Sequence, residues 1–497
     1  MDGEVTDPRT PCVIGVAQHT FRPDAGEAPE PLLQWEAMCR EAATDSGALS
    51  ALAAVDSMNV VYPLSWQYDD APGRLAERLG LPQGSRRLSG LSGTSPQHLL
   101  QSAATEILAG RSAVAMVVGG EALATRKRFK RDGRRPEWSF PPAERQPPPF
   151  EDPFHPAEIA HEVFQAYLTF AVFDIARRAH VGLSPEENRR QVARLLAPMT
   201  GIAAKNPFAW FPVERSEEEI RTPTPTNRMV AYPYTKHMIS FMDVDMAAAV
   251  LVTSHEKAEA LGVPAERRVY LRGWSYARDP VAVAEREELW RSRAMEEASR
   301  QALAGASVGL DDIAHLDLYS CFGSSVSFAR DALGLAAADP RPLTVTGGLP
   351  YFGGAGNNYL THAIATMVGR LRADPSALGL VSGVGMHMGN HVFGVYSATP
   401  GAVAPPDLAA AQSRVSDAPV RSIRNPAHGP ATIAAYSVVH GREGPAWGLA
   451  VCDLPGGDRS YARTRDAALL ASMEQEEWVG RPVTLRPDAQ NVNHIEA

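Results

Sequence analysis

The chain has 497 residues, 44% of them hydrophobic and 21% charged, with a formal net charge of -9 at pH 7. That length predicts roughly two to four domain-sized units, and the composition is that of a soluble globular protein. The acidic balance argues against general nucleic-acid binding, which needs a basic face. Residues 1–10 (MDGEVTDPRT) lack the apolar core of a signal peptide, and no apolar run is long enough to span a bilayer. Cys12, Cys39, Cys321 and Cys452 show neither metal spacing nor a CxxC pair. A reducing, cytoplasmic setting without a metal is expected.

Residues 13–17 (VIGVA) read as a buried strand, 32–43 as an amphipathic helix, 58–61 as a strand and 71–79 as a helix stopped by Gly80. In the turn 89–96, Ser95 is expected to cap a helix and Pro96 to open it. That helix runs to about residue 109, with Leu99, Leu100, Ala103 and Ile107 on one face, and Gly110 ends it. Residues 114–118 form a strand closed by Gly119-Gly120-Glu121. Strands alternating with helices predict an α/β layer with a mainly parallel sheet.

The pattern then breaks. Residues 126–131 (RKRFKR), with Arg134 and Arg135, form a basic run, followed by a linker rich in prolines such as Pro141 and Pro147. Helical segments occupy 156–220. The basic run is either a solvated face or a seat for ligand phosphates, whose oxygens arginine forks match. The α/β pattern returns with strands at 246–253, 269–274 and 313–319, a helix at 294–303, and a turn at 320–324. Residues 344–359 (TVTGGLPYFGGAGNNY) form a glycine loop leading into a helix, a common way to set main-chain N–H groups beside a ligand. It is no P-loop, since no Gly-Lys-Ser/Thr follows Gly356, and Tyr359 breaks the dinucleotide fingerprint. Strands at 378–382 and 392–397 flank the segment 383–391 (GVGMHMGNH). Beyond a linker at 400–407, strands at 431–440, 447–454 and 481–486 and a helix at 466–473 suggest a small barrel or open sheet.

Several separated stretches together resemble the thiolase superfamily. Ser102-Ala103-Ala104, Gly110 and Gly119-Gly120-Glu121 sit as in the segment after a thiolase's nucleophile. Residues 247–257 (AAAVLVTSHEK) resemble the strand ending the first half, and Gly347-Gly348 the start of the loop that holds the family's Gly-His-Pro. Residues 380–397 resemble the final catalytic loop and closing strand. DLYSCF at 317–322, GGxxxFGGxGNNY at 347–359 and HVFGVYS at 391–397 resemble thiolase-like proteins often labelled acetyl-CoA acetyltransferases. One branch of these carries an additional C-terminal domain. The resemblance covers roughly 11–400. It implies a duplicated α/β thiolase fold, layered α/β/α/β/α, with an inserted lobe and a small β-rich C-terminal domain. The expected division is 1–121 and 236–265 for the first half, 122–235 for the lobe, 266–400 for the second half and 405–497 for the added domain.

Thiolase chemistry needs a cysteine thiolate at a helix N-terminus, a histidine to activate it, a second cysteine as acid/base and donors aimed at the thioester oxygen. Aligned on Ser102 and Gly110, the nucleophile's position falls on Gly93, the Gly-His-Pro histidine on Gly354, the second cysteine on Gly383 and the oxyanion asparagine on Tyr319. Backbone donors remain at Gly93 and Gly385. The resemblance thus implies CoA or acyl-CoA as ligand or substrate, with no tightly bound cofactor, and a degenerate active site.

Replacements are sought on the same loops. Cys321 is either a displaced nucleophile or a buried structural thiol. His387 and His391 are candidate general bases, with the ordering of the following strand as the alternative for His391. His362 reads as packing. Gly353, Gly354, Asn357 and Asn358, with Arg126, Arg128 and Arg131, form the expected ligand path, phosphates lying near 126–135. The two asparagines either bond ligand amides or cap the helix. Two functions remain open: an acyltransferase of lipid metabolism with altered machinery, or a non-catalytic CoA-binding or scaffold protein. Thiolases commonly pair through the strand and helix near position 93, so a homodimer is expected unless the C-terminal module covers that edge.

Overall fold

A computed structural model describes residues 6–496. Its strands are β1 (Pro11–Thr20), β2 (Ser57–Val60), β3 (Ser85–Leu88), β4 (Val114–Ala122), β5 (Met229–Ala231), β6 (Tyr234–Thr235), β7 (Asp245–Ser254), β8 (Val269–Arg278), β9 (Ile313–Asp317), β10 (Leu378–Gly385), β11 (Asn390–Ser397), β12 (Gly429–His440), β13 (Pro445–Asp453), β14 (Arg459–Thr464), β15 (Pro482–Pro487) and β16 (Asn493–Glu496). Nine of them form one sheet, in the order β3-β2-β4-β7-β1-β8-β11-β10-β9. Its two halves meet at β1 and β8, where Cys12 pairs with Tyr270 and Val13 with Val269. Read outward from that seam, β1, β7, β4 and β2 correspond to β8, β11, β10 and β9, the order a duplication leaves.

The sheet is mixed rather than mainly parallel. Only β2–β3, β2–β4 and β9–β10 run parallel. Alternation of strand and helix fixes the parallel crossovers early in each half. It does not reveal that β11 follows β10 directly as a hairpin, which forces an antiparallel pair.

The helices Ser95–Leu108 and Tyr359–Ala373 pack on each other and on strands of both halves. Leu99, Leu100, Ala103 and Ile107 are buried, as their spacing predicts. The capping expectation is corrected. Thr94 stands at the N-cap and Ser95 is already helical; its hydroxyl donates to the Gly90 carbonyl at 3.1 Å. The basic run folds as the helix Leu123–Arg131. A further helix, Gly323–Leu333, occupies residues whose serine-rich start reads as a turn.

In the C-terminal part, β12 pairs with β13, β13 with β14, β14 with β16, β16 with β15, and β15 returns to β12. This closed five-stranded circuit, with the helix Ala467–Gln475 between its third and fourth strands, is the arrangement of an OB-fold. The β5–β6 hairpin of the inserted lobe extends it, Ala231 pairing with Val439. The lobe's helix Ala166–Val181 packs on β12, and its buried Arg178 reaches Tyr436 and Glu477, both at 2.9 Å. The barrel therefore leans on the lobe, and β3, with Arg86 and Arg87, remains the outer edge of the large sheet. Among the described residues no helix is long and apolar enough to cross a membrane.

Candidate functional site

The turn before the Ser95–Leu108 helix meets the segments at 319 and 384–385. A Cβ built on Gly93 would overlap the Val384 carbonyl and the Tyr319 hydroxyl, and would stand 2.8 Å from Tyr319 Cζ. The phenol therefore fills the space that a side chain at 93 would need. The same closeness recurs around it. A Cβ on Gly385 would overlap the Ser92 hydroxyl, one on Gly383 the Leu360 methyl, and one on Gly354 the Ser240 hydroxyl. Ser240 N also donates to the Cys321 carbonyl at 2.8 Å. Gly93, Tyr319 and Val384 thus meet directly, and Ser240 links Cys321 to Gly354.

The glycine loop is tied down at its start. Buried Asp317 accepts from Thr344 Oγ1 at 2.8 Å, Val345 N at 3.0 Å and Tyr359 Oη at 2.9 Å. Burial raises its pKa, and these bonds hold the rise in check. Gly347 and Gly353 have φ of 114° and 108°, a region that side chains rarely adopt. Asn357 Nδ2 donates to the Tyr62 carbonyl at 3.0 Å. Asn358 Oδ1 accepts from Thr361 Oγ1 at 2.6 Å. Neither asparagine side chain caps the following helix.

The candidate catalytic side chains sit in tight surroundings. Burial pushes the Cys321 thiol up to about 12, and its Sγ lies 3.6 Å from Ser325 Oγ. His387 Nδ1 is 3.0 Å from Thr169 Oγ1, and its ring packs against Phe154 at 5.2 Å. Its Nε2 is buried without a partner among the described residues; burial, then the Arg286 charge, lowers it to about 4. His391 Nε2 lies 3.1 Å from Ser292 Oγ and 3.3 Å from Asp279 Oδ2. Burial alone would raise Asp279, but the His391 hydrogen bond and the Arg286 charge bring it below the usual carboxylate value. His362 meets Gln18 Oε1 at 3.2 Å and is pushed down by burial to about 3. None of these histidines hydrogen-bonds Cys321.

The proline-rich stretch is more than a linker. Leu91 N donates to the Pro149 carbonyl at 2.9 Å. Glu151 accepts from Asn390, Asp152 from Arg278, and Phe154 covers His387. The strap 149–154 therefore crosses both the 89–93 turn and the 386–391 turn. Nothing in its composition signals this, because its ties are a main-chain bond and long-range pairs.

Of the three arginines expected at ligand phosphates, Arg126 lines a cleft of about 750 Å³ together with Lys130, Arg134, Arg135, Arg145 and Trp66. Arg128 turns instead to the Pro23 and Gly26 carbonyls, and Arg131 pairs with Asp132 at 3.1 Å. The cleft shares the 62–67 loop with the glycine loop. Arg126 holds the Leu64 carbonyl at 2.6 Å, and Asn357 holds that of Tyr62. Beneath the loop, Glu121 accepts from Leu64 N at 2.6 Å and Ser65 N at 2.8 Å, and burial lifts its pKa to about 7.

Residues 410–490 match the thiolase-like protein type 1 additional C-terminal domain. The crystal structure of a monomeric SCP2-thiolase-like protein type 1 from Mycobacterium smegmatis is 32% identical and superposes with a TM-score of 0.87, over 99% of this chain and 100% of that one. The chain belongs to the SCP2-thiolase-like proteins of type 1. Among more distant structures, an acetyl-CoA acetyltransferase from Syntrophomonas wolfei is 15% identical with a TM-score of 0.58, over 80% of this chain and 100% of its own. Human mitochondrial 3-ketoacyl-CoA thiolase in complex with CoA is 14% identical with a TM-score of 0.52, over the same shares. These two show the fold alone: this SCP2-thiolase-like protein has the thiolase α/β architecture with a β-rich C-terminal addition. No curated protein matches the sequence.

Proposed function

We propose that this SCP2-thiolase-like protein recognises CoA or an acyl-CoA without forming a thiolase-type acyl-enzyme. The observation that carries the reading is the Tyr319 phenol standing where a side chain at 93 would project. A thiolase step needs a thiolate, a base within hydrogen-bond reach and an open path to both. Cys321, with its thiol raised to about 12, is almost wholly protonated at neutral pH. The strap 149–154 lies over the turns that would flank the reacting thioester.

The ligand is read from the basic cleft. Lys130, Arg135 and Arg145 face it without a carboxylate partner among the described residues, and Arg126, whose charge also acts on buried Glu121, faces it beside them, which suits the phosphates of CoA. Titration with CoA should give saturable, salt-sensitive binding, weakened about tenfold by the pair Arg126→Ala and Arg135→Ala. Acetyl-CoA should leave the intact mass unchanged. Absence of CoA binding would overturn the reading.

A second reading keeps an acyltransferase with Cys321 as displaced nucleophile. It draws on the Ser240 amide, which joins Cys321 to the neighbourhood of Gly354. An acyl adduct mapped to Cys321, lost in Cys321→Ala, would favour it.

A further inference from the structure

A second hollow lies on another face of the lobe, at the end of the helix Pro185–Lys205. It encloses about 440 Å³, a size ordinary for small-molecule sites. Its floor is apolar, made by Pro198, Ile202, Phe208 and Val345, and two cations, Lys205 and Arg370, stand at it. Most arginines of this chain are paired with carboxylates or carbonyls, whereas neither of these two has a side-chain partner among the described residues. Each closes a helix, Lys205 its own and Arg370 the Tyr359–Ala373 helix, where a cation offsets the helix dipole. That accounts for a cation at each end. It does not account for the two ends converging on one apolar hollow.

Two features give the hollow direction. Gln18 on its wall is fixed, its Nε2 donating to Thr366 Oγ1 at 3.1 Å and its Oε1 facing His362 Nδ1 at 3.2 Å. Pro198 and Ile202 also line a neighbouring cleft of about 470 Å³, whose apolar residues include Leu195, Met199, Pro342 and Leu343 and whose lining also carries Gln191, Arg194, Arg330 and the Asp339–Arg341 pair. The two share their floor, so an apolar surface runs from the cations across the helix to Leu343. A carboxylate, Glu214, stands beside Gly201 but does not line the hollow.

We propose that this surface binds a single-chain anionic amphiphile, its carboxylate between Lys205 and Arg370 and its alkyl chain over Ile202 and Pro198 toward Leu343. Charge selects the head, and removal of the chain from water supplies the affinity, about 0.8 kcal/mol per buried methylene. The inference is independent of the CoA reading, whose basic cleft shares no lining residue with this one.

Dodecanoate, titrated calorimetrically below its micelle concentration into the full chain, tests it. Saturable binding is expected, with dodecanol and butyrate each at least about tenfold weaker, since one lacks the charge and the other the chain. The pair Lys205→Ala and Arg370→Ala, both at exposed positions, should weaken dodecanoate about tenfold and leave dodecanol unchanged. Ile202→Glu should weaken both. No saturable binding, or binding that ignores these substitutions, overturns the proposal. Displacement of dodecanoate by CoA would also overturn it, because it would place the ligand at the other cleft.

Discussion

Tyr319 and Gly93 are the pair on which the chemistry turns, and each explains the other. A phenol reaches the helix start only because no side chain occupies 93, and a side chain at 93 is excluded while the phenol is there. Gly93→Cys should therefore lower stability by about 1–3 kcal/mol, the usual range for forcing atoms into a filled core. Gly93→Cys with Tyr319→Asn should recover part of that loss, because the clash with the ring is gone while that with the Val384 carbonyl remains. Thermal melts of the two single variants and the double give the coupling; fully additive losses would mean that the two side chains do not compete for one space. Neither variant should gain thiolysis, since Gly354 and Gly383 supply no histidine or cysteine. Cys321 tests the same neighbourhood from the other side. Buried and raised to about 12, it should react with iodoacetamide far more slowly in the native protein than after unfolding, as peptide mapping would read.

At the scale of elements, the 62–67 loop is the part most exposed to one change. Both Glu121 oxygens accept backbone N–H groups of that loop. Glu121→Gln would set an amide NH2 against one of those donors, at a cost of about 1–3 kcal/mol for a buried unmet bond. Hydrogen exchange should show the loss confined to Leu64, Ser65 and their neighbours; unchanged protection there would show that Glu121 does not hold the loop. This network also marks where sequence reading stops. Most strands and helices of both halves are legible because their apolar residues recur at the right spacing, and the face Leu99, Leu100, Ala103, Ile107 is buried as read; the polar edge strand Ser85–Leu88 and the serine-rich helix Gly323–Leu333 are not. β14 (RSYART) and β16 (NHIE) are not legible. Their polar residues look solvated but meet partners far along the chain: Arg463 pairs with Glu162 at 2.8 Å, and Asn493 N donates to His161. The loops that assemble around 93 can be placed by resemblance. That a tyrosine ring and a proline-rich strap close them depends on tertiary direction, which spacing does not encode.

The whole molecule depends on how the barrel is held against the lobe, and that contact carries a pH sensitivity whose sign can be worked out. His161 Nδ1 lies 2.8 Å from the Ala157 carbonyl, and Nε2 is 2.9 Å from the Asn493 amide that donates to it. The ring must therefore be neutral, with its proton on Nδ1. Burial and, more weakly, Arg463 and His494 lower its pKa to about 4, against an ordinary value near 6.5. Between those values the unfolded chain binds the proton and the folded chain does not. This contribution is complete above pH 6.5 and is lost as pH falls toward 4, on the order of 3 kcal/mol over the window. Glu158 beside it, raised by burial and bonded to Tyr461 Oη at 2.8 Å, acts in the opposite sense, because the folded state retains its proton to higher pH. His387 and His362 shift in the same direction as His161, so the pH curve of the native protein alone cannot isolate the junction. The difference between the native protein and His161→Gln can, since glutamine can accept from Asn493 N but does not titrate. The native protein should lose more stability than the variant between pH 6.5 and 4, with protease cutting between lobe and barrel appearing first in the native chain. Equal losses would mean that the junction holds its proton state without His161.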